Sequence, residues 1–211
     1  MRPSDVPPPT VPSPEGWRVV SEEATTPFDA LVVSVRARTV LLADERLRER
    51  ANATVDAATE SPADEDGDAE TGGDGDDATW RFFFASRLRL DPAAPSSRAV
   101  TRLVTNRANA GFSDVLSERG FDAVRAVESR PFRIRGEEAD LTRYRARVSL
   151  REFALVAEGY LAVWPDDGGF LVAGGAYPRA VESGPAADEL SALLEPERFR
   201  EELFEMVRAT A

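Results

Sequence analysis

The chain contains no cysteine, no histidine, no lysine and no glutamine, so all 26 of its basic residues are arginine. Each absence removes chemistry. Without Cys there is neither a disulfide nor a thiolate nucleophile. Without His there is no imidazole metal ligand and no Ser-His-Asp triad, and without Lys there is no Schiff base and no P-loop lysine. No apolar run approaches the roughly 18 residues that would cross a bilayer. The opening stretch MRPSDVPPPTVPSPEG has prolines where a signal peptide has its apolar core. Together these absences predict a soluble, cytoplasmic, non-enzymatic protein with no cofactor and no metal. Any active site would be restricted to carboxylates, Arg, Tyr, Ser, Thr and backbone groups.

What is present points to one folded domain. The chain is 211 residues long with 42% hydrophobic and 8% aromatic content, too apolar for a disordered chain and of a size that suits one core. The formal charge is −12, and with arginine in place of lysine this composition resembles that of salt-loving archaea. The physical reason is that a carboxylate surface stays hydrated where salt shortens the Debye length to about 3 Å at 1 M. The charge is concentrated, however. The stretch Glu60–Asp77, ESPADEDGDAETGGDGDD, holds nine carboxylates and no basic residue, so the rest of the chain carries only −3.

Along the chain, residues 1–15 hold six prolines and read as a disordered arm. From 16 to 211 one α+β domain is expected, interrupted by a disordered acidic insertion over 56–78. Val33, Val35, Ala37, Thr39 and Leu41 alternate with polar residues, as do Trp80, Phe82, Phe84, Leu88 and Leu90, which is the period of a half-buried strand. Val100, Leu103, Val104, Phe112, Val115 and Leu116 follow helical spacing after a Ser cap, with Gly111 as a possible break and Gly120 as a C′ residue. Four strand-like runs follow, RAVESRPFRIR, DLTRYRARVSL, FALVAEGYLAVW and GFLVAGGAYP, the last two joined by the turn PDDGG. Pro196 opens a final helix with Phe199, Leu203, Met206 and Val207 as its apolar stripe. The expected architecture is an antiparallel sheet of about six strands with a C-terminal meander, covered by a central and a C-terminal helix. This order of elements is similar to the α/β/α sandwich of the Mog1 and PsbP-like proteins. The runs GFSDVLSERGFDAVRAVESRPFRIRGEEADLTRYRARV and GYLAVWPDDGGFLVAGGAYP resemble an uncharacterised family of haloarchaeal proteins, which implies a saline compartment and no particular activity.

Three features are candidates for function. The acidic stretch fails as a calcium loop: starting from Asp64, Ala69 stands where Gly is required and Gly75 where the bidentate Glu is required. A single copy of the β-roll opening at Gly72 does not form a roll. The second feature is an arginine face. Arg133 and Arg135 alternate with Phe132 and Ile134, and Arg143, Arg145 and Arg147 alternate with Tyr144, Ala146 and Val148. A hairpin of these runs would gather the five arginines, and Arg81, Arg87 and Arg89 would extend them. Such a face suits a protein partner or an anionic ligand. Nucleic acid is disfavoured by the negative net charge and by salt. The plainer reading is the solvated side of a sheet, balanced by neighbouring Glu residues, and the acidic stretch is a conceivable competitor for it. Third, Gly174–Tyr177 with its paired glycines offers an alternative small-ligand or carboxylate-based hydrolase site. The pairs Glu137, Glu138 and Asp166, Asp167 are better explained by turn chemistry.

Overall fold

The computed structural model describes residues 2–29, 34–59, 80–93, 97–150, 152–184 and 186–211. Among them, seven strands form one antiparallel sheet: β1 Trp17–Asp29, β2 Ser34–Asp44, β3 Phe82–Asp91, β4 Phe121–Ile134, β5 Glu137–Leu150, β6 Phe153–Asp166 and β7 Gly169–Ser183. Their spatial order is β1-β2-β3-β7-β6-β5-β4. Among the described residues four α-helices accompany them: α1 Glu45–Thr59, α2 Arg98–Glu118, α3 Ala187–Leu193 and α4 Pro196–Ala209. The α+β class, the C-terminal meander and the two covering helices agree with the sequence reading. The strand count is seven instead of about six, because the apolar run from Phe28 to Leu42 belongs to two strands that pair from Phe28↔Val35 back to Trp17↔Asp44.

Period-two alternation in β3 shows how the sheet becomes the middle layer of a sandwich. Phe82 and Phe84 face one side, which we call the back. There Phe84 stacks on Phe112 of α2 at 5.6 Å between ring centroids, and Phe112 meets Tyr144 of β5 edge-on at 5.0 Å. Helix α2 runs unbroken through Gly111, with the Ser97 hydroxyl accepting a hydrogen bond from the Val100 N–H and Gly120 at positive φ just beyond its end. The front is covered by α4, whose Phe199, Leu203, Met206 and Val207 are all buried as their spacing predicts. Phe199 lies edge-on to Tyr177 at 6.1 Å and Phe204 edge-on to Tyr160 at 4.8 Å. Each fully buried aromatic contributes about 1.5–3 kcal/mol, so these two aromatic layers dominate the packing of both faces.

Two parts of the chain depart from expectation. Residues 2–15 are laid against the sheet. Val6 is 1% exposed, the Pro8 carbonyl accepts from Arg87, and Thr10 and Ala211 exchange backbone hydrogen bonds beyond the end of α4. Proline makes an extended segment cheap to order, since its φ is already fixed, and one or two apolar anchors then suffice. Helix α1 is 15 residues long and buries Leu47, Ala51 and Val55 on one stripe. Its last turn takes in residues 56–59, the start of the expected insertion; residues 60–78, with the calcium-loop readings and the suggested competitor, lie outside the described residues. Among the described residues no helix is long and apolar enough to cross a membrane.

Candidate arginine-rich binding surface

The β4–β5 hairpin determines where the predicted arginines go. Its turn is Arg135–Gly136, both at positive φ, +52° and +93°. Two successive left-handed residues make the tight turn whose twist matches the flanking strands. Arg135 is therefore a turn residue, not a member of a strand face. Arg133 pairs with Glu138, while its neighbour Phe132 packs on Phe204 of α4 at the front; Arg133 thus faces the back. Arg143, Arg145 and Arg147 share the front, since Arg143 pairs with Tyr160 and Arg145 with Glu158. Of the five predicted arginines the structure brings three together. The sequence pattern misassigned the other two because alternation was counted through the turn.

Arg81, Arg87 and Arg89 also lie on the front, yet they do not extend a free surface. Arg81 is 3% exposed, bonded to Asp44 and Glu202 at 3.0 and 2.8 Å and to the Phe199 carbonyl. Its guanidinium lies 4.8 and 4.5 Å from the Trp17 and Phe199 ring centroids, which makes it a tie between sheet and α4. Arg87 and Arg89 both bind Asp166, at 3.1 and 3.2 Å, so the Asp166 carboxylate closes the β6–β7 turn against β3.

At the centre of the front lies a group that the motif reading passed over. Glu158 is 0% exposed. Tyr160 and Tyr177 donate to its Oε1 at 2.8 and 2.9 Å. Arg143 and Arg179 donate to its Oε2 at 2.9 and 3.3 Å. Burial pushes the carboxyl up, but the two hydroxyl bonds and the Arg143 charge outweigh it and hold Glu158 below the ordinary value. Burial and the neighbouring carboxylate push the Tyr160 hydroxyl up to about 12, and Tyr177 is raised by the same causes. Arg143, despite partial desolvation, is raised by the Glu158 charge. Tyr144 stands apart on the back, bonded to Asn109 of α2 and raised by burial to about 12. One sequence signal did exist: Glu158 is the single charged residue between Phe153 and Trp164, and a lone charge inside an apolar run is buried with partners or not at all.

Bulges in β4, between Asp122 and Arg125 and between Ala126 and Glu128, set the rest of the surface. They place Arg125 directly opposite Arg145. Both are exposed, and among the described residues neither forms an ion pair. Most other strand arginines do: Arg147 binds Glu182 at 3.1 Å, Arg36 binds Asp91 and Arg38 binds Glu22. The result is a positively charged strip of Arg125 and Arg145, flanked by the Glu182-paired Arg147 and by the half-buried Arg143 and Arg179. In the Gly174–Tyr177 segment, a Cβ at Gly175 would collide with the Phe82 carbonyl and one at Gly174 with the Tyr160 carbonyl; these glycines admit neighbouring backbones. Shallow hollows lie elsewhere, one lined by Ala53, Ala57 and Glu189 and one by Arg98, Arg102 and Leu103. Glu137 and Glu138 open β5 directly after the turn, as turn chemistry predicts. Among the described residues no group of three or more acidic side chains could hold a metal ion.

The chain belongs to the family described as domain of unknown function DUF6517, whose model matches residues 3–211. No curated protein matches it. Among solved structures, a mutant of the protein Mog1 is similar to it with a TM-score of 0.42 and 13% identity, over 96% of this chain and 89% of that one.

Proposed function

We propose that this chain is a non-enzymatic interaction domain whose β4–β5 strip receives an acidic partner. The observation that carries this reading is the cross-strand pair Arg125 and Arg145, two exposed like charges directly opposite one another with no ion-pair partner among the described residues. Like charges facing each other across two strands are destabilising. In a chain with 38 carboxylates to 26 arginines, compensation within the fold is cheap to obtain, and most strand arginines obtain it. An arginine pair left uncompensated is matched to negative charge that arrives from outside. The forked guanidinium suits carboxylates, and Tyr160, Tyr177 and Glu158 are spent on one another beneath α4, which speaks against catalysis at Gly174–Tyr177.

The test is fluorescence anisotropy of a labelled polyglutamate peptide titrated with the protein across a salt series. The wild type should bind at low salt and weaken as salt rises. An Arg125→Glu, Arg145→Glu variant should lose at least about tenfold in affinity, as expected for losing two charge-assisted contacts. Unchanged binding by the folded variant would overturn the assignment of the surface.

A further inference from the structure

Glu158 does more than neutralise a buried site. Arg143 reaches it from β5 and Arg179 from β7, and both end on the same oxygen, Oε2. One carboxylate oxygen thus holds two guanidiniums side by side, although like charges at that separation would repel if unanchored. Each guanidinium has five N–H donors, and only one of Arg143 and one of Arg179 is spent on Glu158. The Nε of Arg143 is buried without a partner, and the Glu128 carboxylate stands 3.8 Å from Nη1, beyond hydrogen-bond distance. Both side chains remain partly open to solvent, 26% and 38%.

From this clamp Arg145, and after it Arg147 with Glu182 already on its guanidinium, continue along β5 on the same face. Successive same-face residues of a strand are about 7 Å apart. The positive groups therefore form a row, with Arg125 at the side of Arg145. A compact dianion meets one position of such a row. An extended chain with a carboxylate at every second residue has the same repeat and meets all of them.

We propose that the ligand of this surface is an extended acidic protein segment with carboxylates at alternate positions. One carboxylate is received between Arg143 and Arg179, and Glu158 acts as the positioning residue that fixes the two guanidiniums for it. This rests on the reading of the β4–β5 strip as an acidic-partner surface, and it adds the spacing and the anchor.

The experiment compares two labelled peptides of about ten residues, equal in composition and charge, one with Glu at alternate positions and one with Glu in adjacent pairs, so that only the first presents every carboxylate on one face. Wild-type protein should prefer the alternating peptide by about tenfold, the worth of one well-placed charge-assisted contact. In Glu158→Gln that preference should vanish while the weaker binding of the paired-Glu peptide persists, a separation that general loss of structure does not produce. Arg179→Gln, which leaves the buried carboxylate with three donors, should show the same loss and keeps the test decisive if Glu158→Gln fails to fold. Equal affinity for both peptides in the wild type would overturn the spacing while leaving the surface intact. Failure of both peptides to bind would overturn both readings. Stronger binding of a single-stranded oligonucleotide of equal charge, or displacement of the peptide by millimolar inorganic phosphate, would overturn the choice of partner.

Discussion

An alkaline titration of this protein reports on three side chains. The chain has no Lys, Cys or His, so between neutrality and the arginine range its titrating side chains are Tyr144, Tyr160 and Tyr177. All three are buried, with hydroxyls donated to Asn109 or Glu158. Tyr144 and Tyr160 are each raised to about 12 from the ordinary 10.0, by burial first and, for Tyr160, by the Glu158 carboxylate as well. The sign follows from linkage. A group whose pKa is higher in the folded state stabilises the fold fully below its unfolded value, and that contribution is lost as pH rises from about 10 through the folded value. Two units correspond to about 2.7 kcal/mol for each of these tyrosines at pH 10 and below. Stability should therefore fall by about 5 kcal/mol between pH 10 and pH 12, a large part of a typical domain's total. Tyrosinate absorbance, followed together with far-ultraviolet circular dichroism, should stay low at pH 10 and then rise in one steep step coincident with unfolding. A gradual rise centred near pH 10 in protein that remains folded would refute the argument, because it would mean that at least one hydroxyl is not held as described.

Replacing Glu158 by Gln should destabilise by about 3 kcal/mol, since it leaves Arg143 and Arg179 half-buried without their counter-charge; urea unfolding followed by the fluorescence of the buried tryptophans Trp17, Trp80 and Trp164 measures this. Because the folded pKa of Glu158 is depressed, the wild type's advantage over that variant is present above the unfolded value and should shrink as pH falls through the folded one. Gly175→Ala should cost about 1–3 kcal/mol through collision with the Phe82 carbonyl and Leu203, and a neutral result in thermal melts would show that β3 and β7 can move apart. Leu203→Ala, at a position 2% exposed between α4 and the sheet, should lower stability by about 2–5 kcal/mol with little change in denaturant slope.

Much of the fold was legible because its elements obey simple periods. The α4 stripe Phe199, Leu203, Met206 and Val207 and the alternation of Phe82 and Phe84 needed only the repeats of 3.6 and 2. The fate of the N-terminal arm was not legible, because composition measures apolar content along a segment and not the fit of one residue: Val6 finds a site that buries it. The arginine face was half legible. Alternation placed Arg143, Arg145 and Arg147 correctly, but it carries no information about a turn with two left-handed residues, which removed Arg135, nor about register, which sent Arg133 to the back. Arg125 was hidden for a related reason, since two bulges in β4 shift its phase. Glu158 was visible as an isolated charge in an apolar strand, but three of its four partners come from strands 15 and 19–21 residues away, and only pairing brings them within reach.

The strand order has a consequence for how the chain acquires this shape. Five of the six pairings, β1 with β2, β2 with β3, and β4 through β7 in turn, join strands consecutive in sequence; the β3–β7 pairing, Phe82↔Ala176 to Arg89↔Gly169, does not. The molecule is thus two meanders zipped along one line, where the longest loop must close, while a shorter one, residues 45–81, closes between β2 and β3. Gly174 and Gly175 sit on it, where Phe83 and Phe84 come alongside. The hairpins β1–β2, β4–β5, β5–β6 and β6–β7 are local, so the β3–β7 line is where topology places the slowest step expected in folding.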